Sequence, residues 1–403
     1  MAENRPQRRW GKDTEQALSV ADGIIYFDNA ATTRPREEAL AEYDRAAREL
    51  YANANSLHSP GFAAETRLAQ CKAAVARMLG ADAEVVFTSG GSAANSLAML
   101  AAAQSTGHGA RKKRIVSSLA EHSSVRGVCA YLGNSGHEVV YVPHGADGSL
   151  CLDALEAALD GSPALVSLMH VNNETGVMAD LQAVSGVIKA AGPQSLLHVD
   201  AVAGFGKHGV DMNLPDILTF ASHKVGGPKG VGGLCFGKRL LPLISAETNS
   251  GGIVGVLRQG TADVPAISAF VTAAEIAFAG LDAAAEHAAG VKEYIAAHAR
   301  SMGAELNGGG KVSPYILNMS FAGVRSETLI NHLSGKGVCV SAGSSCSARK
   351  KDRNILTHYG LPGERAESSV RLSFSAANTL DEAARFVDIL GEALPMLRKF
   401  STR

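Results

Sequence analysis

Short apolar runs alternate with segments of 3.6-residue periodicity over residues 26–236, a pattern typical of crossover units on a mostly parallel sheet. The apolar runs predict seven strands, at 85–88, 114–117, 138–142, 164–170, 196–200, 217–221 and 233–236. Helical periodicity predicts helices at 63–79, 92–103, 123–132, 152–159 and 181–190. We therefore expect an α/β fold whose large domain, residues 24–264, holds a mostly parallel seven-stranded sheet.

The pattern changes after residue 264. Residues 265–302 form an alanine-rich helical stretch, interrupted by glycine, that is suited to joining two domains. Strand patterns at 316–321, 338–341 and 370–374 then alternate with helical patterns at 326–334 and 380–400. They predict a smaller α+β domain over residues 265–403. Residues 1–23 are polar and rich in arginine, and we expect a disordered tail there.

Charge and cysteine content exclude several classes of protein. The 38 basic and 39 acidic side chains give a net charge of −1, which provides no field to attract nucleic acid or an anionic membrane surface. No apolar run reaches the roughly 18 residues that a membrane span needs. The six cysteines show neither metal-ligand spacing nor a disulfide framework. We expect a soluble, cytoplasmic protein with no metal site.

A lysine follows one of the predicted strands, where α/β sheets expose their ligand crevice. Lys224 lies in Ala-Ser-His-Lys-Val-Gly-Gly-Pro-Lys-Gly, residues 221–230. If burial or a neighbouring cation lowers its pKa, such a lysine can form a Schiff base with pyridoxal 5'-phosphate (PLP). The alternative is a surface lysine in a glycine-rich turn. Lys229 is a rival, although its place after Pro228 is more typical of a turn or of a cation beside a phosphate.

A PLP site also needs a carboxylate that keeps the pyridine nitrogen protonated. Asp200 ends a predicted buried strand and could fill that role, or it could cap a helix. Its pairing with a strand-end lysine favours the cofactor role.

The phosphate needs small residues and free N–H groups at the start of a helix. Gly90, Gly91 and Ser92 follow a predicted strand and supply them, unless they form an ordinary turn with a serine cap. Ser222 and His223 could add donors to the same phosphate.

Two further polar residues follow predicted strands. His122 could stack on the pyridine ring and move protons, because imidazole titrates near neutral pH; a helix cap is the alternative. Asn173 could donate to the ring oxygen of the cofactor, with a turn asparagine as the alternative.

Together these residues resemble those of the cysteine desulfurases, the NifS/IscS-like branch of the class V aminotransferase group within PLP fold type I. The resemblance runs from about residue 26 to residue 400. It is carried, in this order, by Tyr-Phe-Asp-Asn-Ala-Ala-Thr-Thr (26–33), Phe-Thr-Ser-Gly (87–90), Glu-His (121–122), Met-His-Val-Asn-Asn-Glu (169–174), His-Val-Asp-Ala (198–201), Ser-His-Lys (222–224), Gly-Thr (260–261) and Ser-Ala-Gly-Ser-Ser-Cys-Ser (341–347).

The resemblance implies that L-cysteine is converted to alanine while its sulfur passes to Cys346, for delivery to an acceptor protein that the sequence does not identify. One setting for such delivery is iron–sulfur cluster assembly. Cys346 lies in a predicted mobile loop, residues 342–353, where nearby cations would favour the thiolate. Arg371 matches the arginine that grips the substrate carboxylate, assisted by Asn173. Thr261 would reach the phosphate of a neighbouring subunit, which implies a homodimer.

The chain departs from the family pattern at three places. Ala203 replaces the usual glutamine, Ala221 replaces a serine, and residues 92–96 read Ser-Ala-Ala-Asn-Ser in place of Thr-Glu-Ser-Asp-Asn. Two alternatives therefore stay open. One is another class V PLP enzyme, such as a selenocysteine lyase, a β-lyase or an aminotransferase, and the other is a degenerate or partner-dependent PLP-binding protein.

Overall fold

The computed structural model describes residues 23–80, 83–104, 114–159, 164–240, 260–342 and 355–401. The strands are β1 Ile25–Tyr26, β2 Glu84–Thr88, β3 Arg114–Ser118, β4 Val139–Val142, β5 Ala164–Met169, β6 Leu196–Asp200, β7 Ile217–Ala221, β8 Gly232–Phe236, β9 Ala304–Asn307, β10 Ile316–Phe321, β11 Val338–Cys339, β12 Ser341–Ala342 and β13 Ser369–Ser373. The helices are α1 Glu37–Glu49, α2 Ser59–Met78, α3 Gly91–Gln104, α4 Ser123–Asn134, α5 Leu152–Leu159, α6 Leu181–Ala191, α7 Val264–Ala279, α8 Leu281–Ser301, α9 Ser326–Gly335, α10 Ile355–His358, α11 Gly363–Glu367 and α12 Leu380–Ser401.

The large sheet has seven strands in the order β2-β8-β7-β6-β5-β3-β4. Strands β4, β3, β5, β6 and β7 pair in parallel, whereas β8 is antiparallel to both of its neighbours. The predicted α/β fold with a mostly parallel seven-stranded sheet is therefore confirmed. Strands β5, β6 and β7 are buried along their whole length because helices cover both faces, so their sequences are continuous apolar runs with single polar insertions.

The C-terminal part forms a second, four-stranded antiparallel sheet in the order β12-β13-β10-β9. The predicted strand at 338–341 is divided, because β11 leaves this sheet and pairs in parallel with β1. Helices α8, α9 and α12 supply the apolar side chains that pack with this unit.

Two segments pack differently from the predicted boundaries of 24–264 and 265–403. The N-terminal residues Ile25, Phe27 and Ala30 share an apolar cluster with the C-terminal unit. Helix α7, by contrast, packs into the core of the large sheet. The axes of α7 and the following α8 differ in direction by 75°, with the bend at Gly280. The chain thus passes between its units at Gly280, and the C-terminal unit includes the first strand. The predicted tail and cysteine loop lie outside the described residues, apart from residues 23 and 342.

Within the described ranges, no single helix is long and apolar enough to cross a bilayer, and only the bent pair α7 and α8 meets that criterion jointly, by length and composition.

Buried histidines make the fold sensitive to acid. His198 on β6 is fully buried, and burial lowers its pKa to about 3. His208 contacts Ser313 through Nε2 at 2.8 Å, and burial, reinforced by His170, Lys207 and Lys311, lowers its pKa to about 3. An unfolded histidine has a pKa of about 6.5. As the pH falls, the unfolded protein therefore binds protons at these side chains before the folded protein does, which favours unfolding. This stabilisation is complete above about pH 6.5 and is lost progressively towards about pH 3.

Replacing His208 with leucine should reduce the acid sensitivity. Between about pH 7.5 and pH 5 the native protein should lose about 2 kcal/mol of unfolding free energy through this side chain, and the variant should not. Urea unfolding at the two pH values measures the difference. The exposed His298→Gln variant is the control and should keep the native pH dependence. An equal loss in His208→Leu and native protein would contradict the prediction.

Candidate active site

Lys224 ends a single 3₁₀ turn, Ser222–Lys224, that directly follows β7. Its Nζ donates to the carbonyl oxygens of Ala30 and of Ala31, the latter at 2.8 Å. Burial, together with the positive charges of Lys207 and Arg371, lowers the pKa of Lys224 to about 7. A large fraction of this amine is therefore neutral near neutral pH, as a nucleophile or a base requires.

Asp200 ends β6 and is 5% exposed. Its Oδ1 accepts the backbone N–H of Val202 at 3.0 Å, so it does cap the turn that follows the strand. Its Oδ2 accepts the side-chain N–H of Asn95 at 2.7 Å. Burial raises the pKa of Asp200, whereas these two hydrogen bonds and the charges of His122 and Lys224 lower it. The carboxyl group thus lies within the electrostatic reach of both predicted partners.

The glycine-rich turn between β2 and α3 offers space for an anion. Gly90 has a φ of +152°, and a Cβ on it would meet no heavy atom within 4 Å. Gly91 is closely packed, since a Cβ there would lie 2.8 Å from Val202 and 3.3 Å from the methyl group of Ala221. Because the first N–H groups of a helix have no partner within it, the start of α3 is suited to a phosphate.

Ser222 does not lie where the sequence predicts it. Its hydroxyl is fully buried and has no hydrogen-bond partner among the residues that the structure describes, and it lies 2.2 Å from the position that a Cβ on Gly227 would occupy. The side chain near Gly91 is that of Ala221, because successive residues at the end of a strand point to opposite faces. His223 is half-buried, and its Nδ1 contacts the Thr32 hydroxyl at 3.3 Å.

His122 caps α4 while leaving much of its ring exposed. Its Nδ1 accepts the backbone N–H of Ser124 at 3.2 Å. His122 can therefore cap the helix and still present its ring to the site. The part of the ring that is withdrawn from water lowers the pKa of His122, an effect that Asp200 opposes and that Lys224 and Arg126 reinforce. The neighbouring Glu121 is buried, and its Oε1 accepts the N–H of Met169 at 2.9 Å.

Two asparagines follow β5, and the sequence left open whether Asn173 belongs to a turn or contacts the cofactor. Asn172 is the structural one: its Oδ1 accepts the N–H groups of Glu174 and Thr175 at 3.0 and 2.9 Å. Asn173 contributes its carbonyl oxygen, which accepts from Arg371 Nη1 at 2.9 Å. Its side chain takes no part in the hydrogen bonds found among the described residues, and this leaves it available for a ligand.

Arg371 reaches the site from β13 of the second sheet. Its Nη2 lies 2.7 Å from Asp28 Oδ1, and the two side chains are 7% and 20% exposed. Ser341 donates to the same carboxylate oxygen at 2.8 Å. Sequence reasoning missed Asp28 as an individual residue, although the segment Tyr-Phe-Asp-Asn contained it.

Two other groups near Arg371 were not predicted. Burial, with the charge of Arg371, lowers the pKa of Lys207 to about 8. Burial raises the pKa of Glu174 to about 7, although Arg371 and Arg126 oppose the rise. Neither was identifiable from the sequence alone, because their shifts arise from burial in the folded protein.

The structure brings Lys224, Asp200, His122, Asn173 and Arg371 into one electrostatically linked group. Arg371 enters it from the middle of β13, and the other four follow or end strands of the large sheet. Thr261 lies apart, exposed, with its hydroxyl 3.4 Å from Asn53 Nδ2. Cys346 lies outside the described residues.

These observations fit PLP: a half-buried amine with a lowered pKa, a buried carboxylate, and an open turn at a helix start. A family model described as aminotransferase class-V matches residues 25–386. The chain therefore belongs to the class V aminotransferase family.

Individual relatives narrow this placement. The chain is 34% identical over 388 residues to a protein named cysteine desulfurase IscS from Rickettsia akari (strain Hartford), which covers 94% of this chain and 92% of that protein. It is 34% identical over 381 residues to a NifS/IcsS protein homolog from Lactobacillus delbrueckii subsp. bulgaricus, covering 92% and 97%. Within the family it groups with the NifS/IscS-like cysteine desulfurases, which confirms the resemblance found in the sequence.

Solved structures agree. A structure titled NifS-like protein superposes with a TM-score of 0.84 at 32% identity, covering 93% of this chain and 100% of that one. DndA from Streptomyces lividans superposes with a TM-score of 0.69 at 30% identity, covering 86% and 98%. The fold of the chain is thus the one shared by NifS-like proteins.

Replacing Gly91 with alanine should destabilise the protein by about 1–3 kcal/mol, because the added methyl group would overlap Val202. Urea unfolding measures the loss. Gly186→Ala in α6 is the matched control, since a Cβ there meets no atom within 4 Å and alanine favours a helix. Adding Val202→Ala to Gly91→Ala should recover part of the loss. No recovery would mean that Gly91 is required for another reason.

Proposed function

We propose that the chain is a PLP-dependent cysteine desulfurase that converts L-cysteine to L-alanine and leaves the removed sulfur as a persulfide on Cys346. The observation that supports this most directly is the half-buried Lys224 amine. Its pKa is lowered to about 7, and it lies in one electrostatic group with Asp200 and Arg371 in a chain related to desulfurases.

Each part of the cofactor has a complementary group. Lys224 would hold PLP covalently, and Asp200 would pair with the pyridine nitrogen. Gly90, Gly91 and Ser92 would bind the phosphate at the start of α3. His122 would stack on the ring, and Asn173 would donate to the ring oxygen. When bound, PLP supplies an electron sink for charge that develops at the substrate Cα.

Arg371 would bind the substrate carboxylate. Its guanidinium is fixed by Asp28 and by the Asn173 carbonyl, so little conformational entropy remains to be lost when substrate binds. The neutral Lys224 amine would remove the proton from Cα, and His122 would return or carry protons on the open side of the site.

Cys346 would accept the sulfur. As a thiolate, it would attack the substrate sulfur, so that an S–S bond forms while the bond between carbon and sulfur breaks. The electron pair of the broken bond stays with carbon, which takes up a proton. The products, alanine and an enzyme persulfide, balance cysteine and the enzyme thiol. We assign no acceptor for the persulfide.

We further propose that the active form is a homodimer. Tyr51, Leu57 and Phe62 expose 68% or more of their surface at the junction of α1 and α2, close in sequence to Asn53, which contacts Thr261. Apolar side chains exposed together favour an interface. A second copy that covers them would place Thr261 beside the partner, as a shared phosphate site requires.

The test is the product formed from L-cysteine by PLP-loaded protein under reductant. Native protein should give alanine and sulfide in equal amounts. Lys224→Ala should lose covalent PLP, and Cys346→Ser should lose turnover while keeping the cofactor. Cys151→Ser, at a half-buried cysteine that directly precedes α5, is the control and should remain active. Pyruvate as product, or an active Cys346→Ser, would overturn the proposal in favour of another class V reaction. Retention of PLP with no turnover would favour a degenerate or partner-dependent protein.

Replacing Arg371 with lysine should raise KM for L-cysteine about tenfold or more with a smaller change in kcat, because lysine cannot form the bidentate contact with a carboxylate. Steady-state kinetics measure both constants. Arg365→Lys is the matched control, since Arg365 binds Glu305 and Asn307 within the second unit. An unchanged KM would mean that another group binds the carboxylate.

A further inference from the structure

A chain of buried polar side chains runs beneath α3 across three parallel strands of the large sheet. Its members are Ser167 on β5, His198 on β6, Thr219 on β7 and Asn95 on α3, each at most 1% exposed. Buried polar groups cost free energy unless they are hydrogen-bonded, and apolar residues at all four positions together would avoid that cost. This series of hydrogen-bonded side chains ends at Asp200. Its position beside the proposed cofactor carboxylate points to a role in the site as well as in stability.

The distances fix the direction of each hydrogen bond. The Thr219 hydroxyl donates to Asn95 Oδ1 at 2.5 Å, in preference to the carbonyl oxygen of Val199 at 3.4 Å. With its only hydrogen committed, Thr219 must accept from His198 Nε2, which lies 3.2 Å away. His198 Nδ1 then has no hydrogen and accepts from the Ser167 hydroxyl at 2.8 Å.

Asn95 is the point where this chain divides. One amide hydrogen goes to Asp200 Oδ2 at 2.7 Å and the other to Ser124 Oγ at 3.0 Å. Ser124 Oγ in turn lies 2.8 Å from His122 Nδ1. That nitrogen already accepts the backbone N–H of Ser124, so it carries no hydrogen and the Ser124 hydroxyl is the donor. His122 is thereby held with its hydrogen on Nε2.

We propose, resting on the function proposed above, that Asn95 is a positioning residue. Its amide holds Asp200 as an ionised carboxylate facing the pyridine nitrogen and fixes the tautomer of His122. Every donor between Ser167 and Asp200 points towards the carboxylate. Hydrogen bonds aligned in this way polarise one another, and a hydrogen bond to the charged form of an acid favours that form.

The surrounding charges make this support necessary. Asp200 faces His122, Lys224 and the buried Glu121. Burial alone drives Asp200 towards its neutral form, and Glu121, when charged, acts in the same direction. A neutral Asp200 would leave the proton on the carboxyl group and not on the pyridine nitrogen. An amide at position 95 opposes this at any pH, whereas an aspartate there could donate to Asp200 only while protonated.

The test uses PLP that carries ¹⁵N at the pyridine nitrogen, bound to full-length protein, and the ¹⁵N chemical shift reports whether that nitrogen is protonated. Native protein should show the protonated signal. Asn95→Ala should move the signal towards neutral pyridine and raise the Kd of PLP about tenfold to a hundredfold, the loss expected for one hydrogen bond to a charged group.

Three further variants separate positioning from folding. Thr219→Val should move the signal in the same direction by a smaller amount, and it can replace Asn95→Ala if that variant does not fold. Ser124→Ala interrupts only the branch to His122 and should leave the ring nitrogen protonated. Asn307→Ala is the matched control, because Asn307 is a buried amide, 4% exposed, that donates to Asn318 and Ser320 in the second unit. It should lower Tm without moving the signal.

The inference is overturned if folded Asn95→Ala or Thr219→Val keeps the native ¹⁵N signal and PLP affinity, or if Asn307→Ala moves the signal equally. The proposed function would survive that result. If native protein binds no PLP, the proposed function itself fails, and the two failures are therefore distinguishable.

Discussion

Burial of the Lys224 amine is the constraint on which the rest of the site depends. A buried lysine is costly to charge, and here its Nζ meets the carbonyl oxygens of Ala30 and Ala31 in place of a bound carboxylate. Those carbonyl groups follow β1, which pairs with β11 and packs with the C-terminal unit. The second unit also contributes the charge of Arg371, which together with burial lowers the pKa of Lys224, so the environment of this amine depends on both units.

The same dependence applies to the other charged groups. Arg371 comes from the second sheet, yet its partners are Asp28 on the N-terminal segment and the backbone of Asn173 after β5. Asp200, by contrast, accepts a hydrogen bond from Asn95, which belongs to the series of buried polar side chains inside the large sheet. In the proposed function, one unit would thus supply the group that binds the substrate carboxylate, and the other would supply the groups that bind the cofactor. This division is consistent with a site in which substrate contacts and cofactor contacts can be changed independently.

The strands of the large sheet were predictable from the sequence, with ends correct to within one residue, because buried parallel strands are continuous apolar runs. Strand β1 was not, since two residues carry no periodicity and its partner lies more than 300 residues away. Helix α1 was also missed, and α7 packs with the large sheet although it follows the predicted boundary at residue 264. An alanine-rich sequence indicates a helix but does not indicate what that helix packs against.

The sequence by itself determined the α/β class, the family, and the residue types that the chemistry needs. Its motifs place an aspartate and a lysine at the ends of predicted strands and an arginine further along the chain. The tertiary structure alone decided which of two adjacent residues makes each contact. Ala221, and not Ser222, lies beside Gly91, and Asn172, and not Asn173, holds the turn. It also decided that Asn95 bonds to Asp200 and that Asp28 bonds to Arg371. The physical reason is that side-chain direction and pairing between distant segments are set by packing, and neither has a local signature in the sequence.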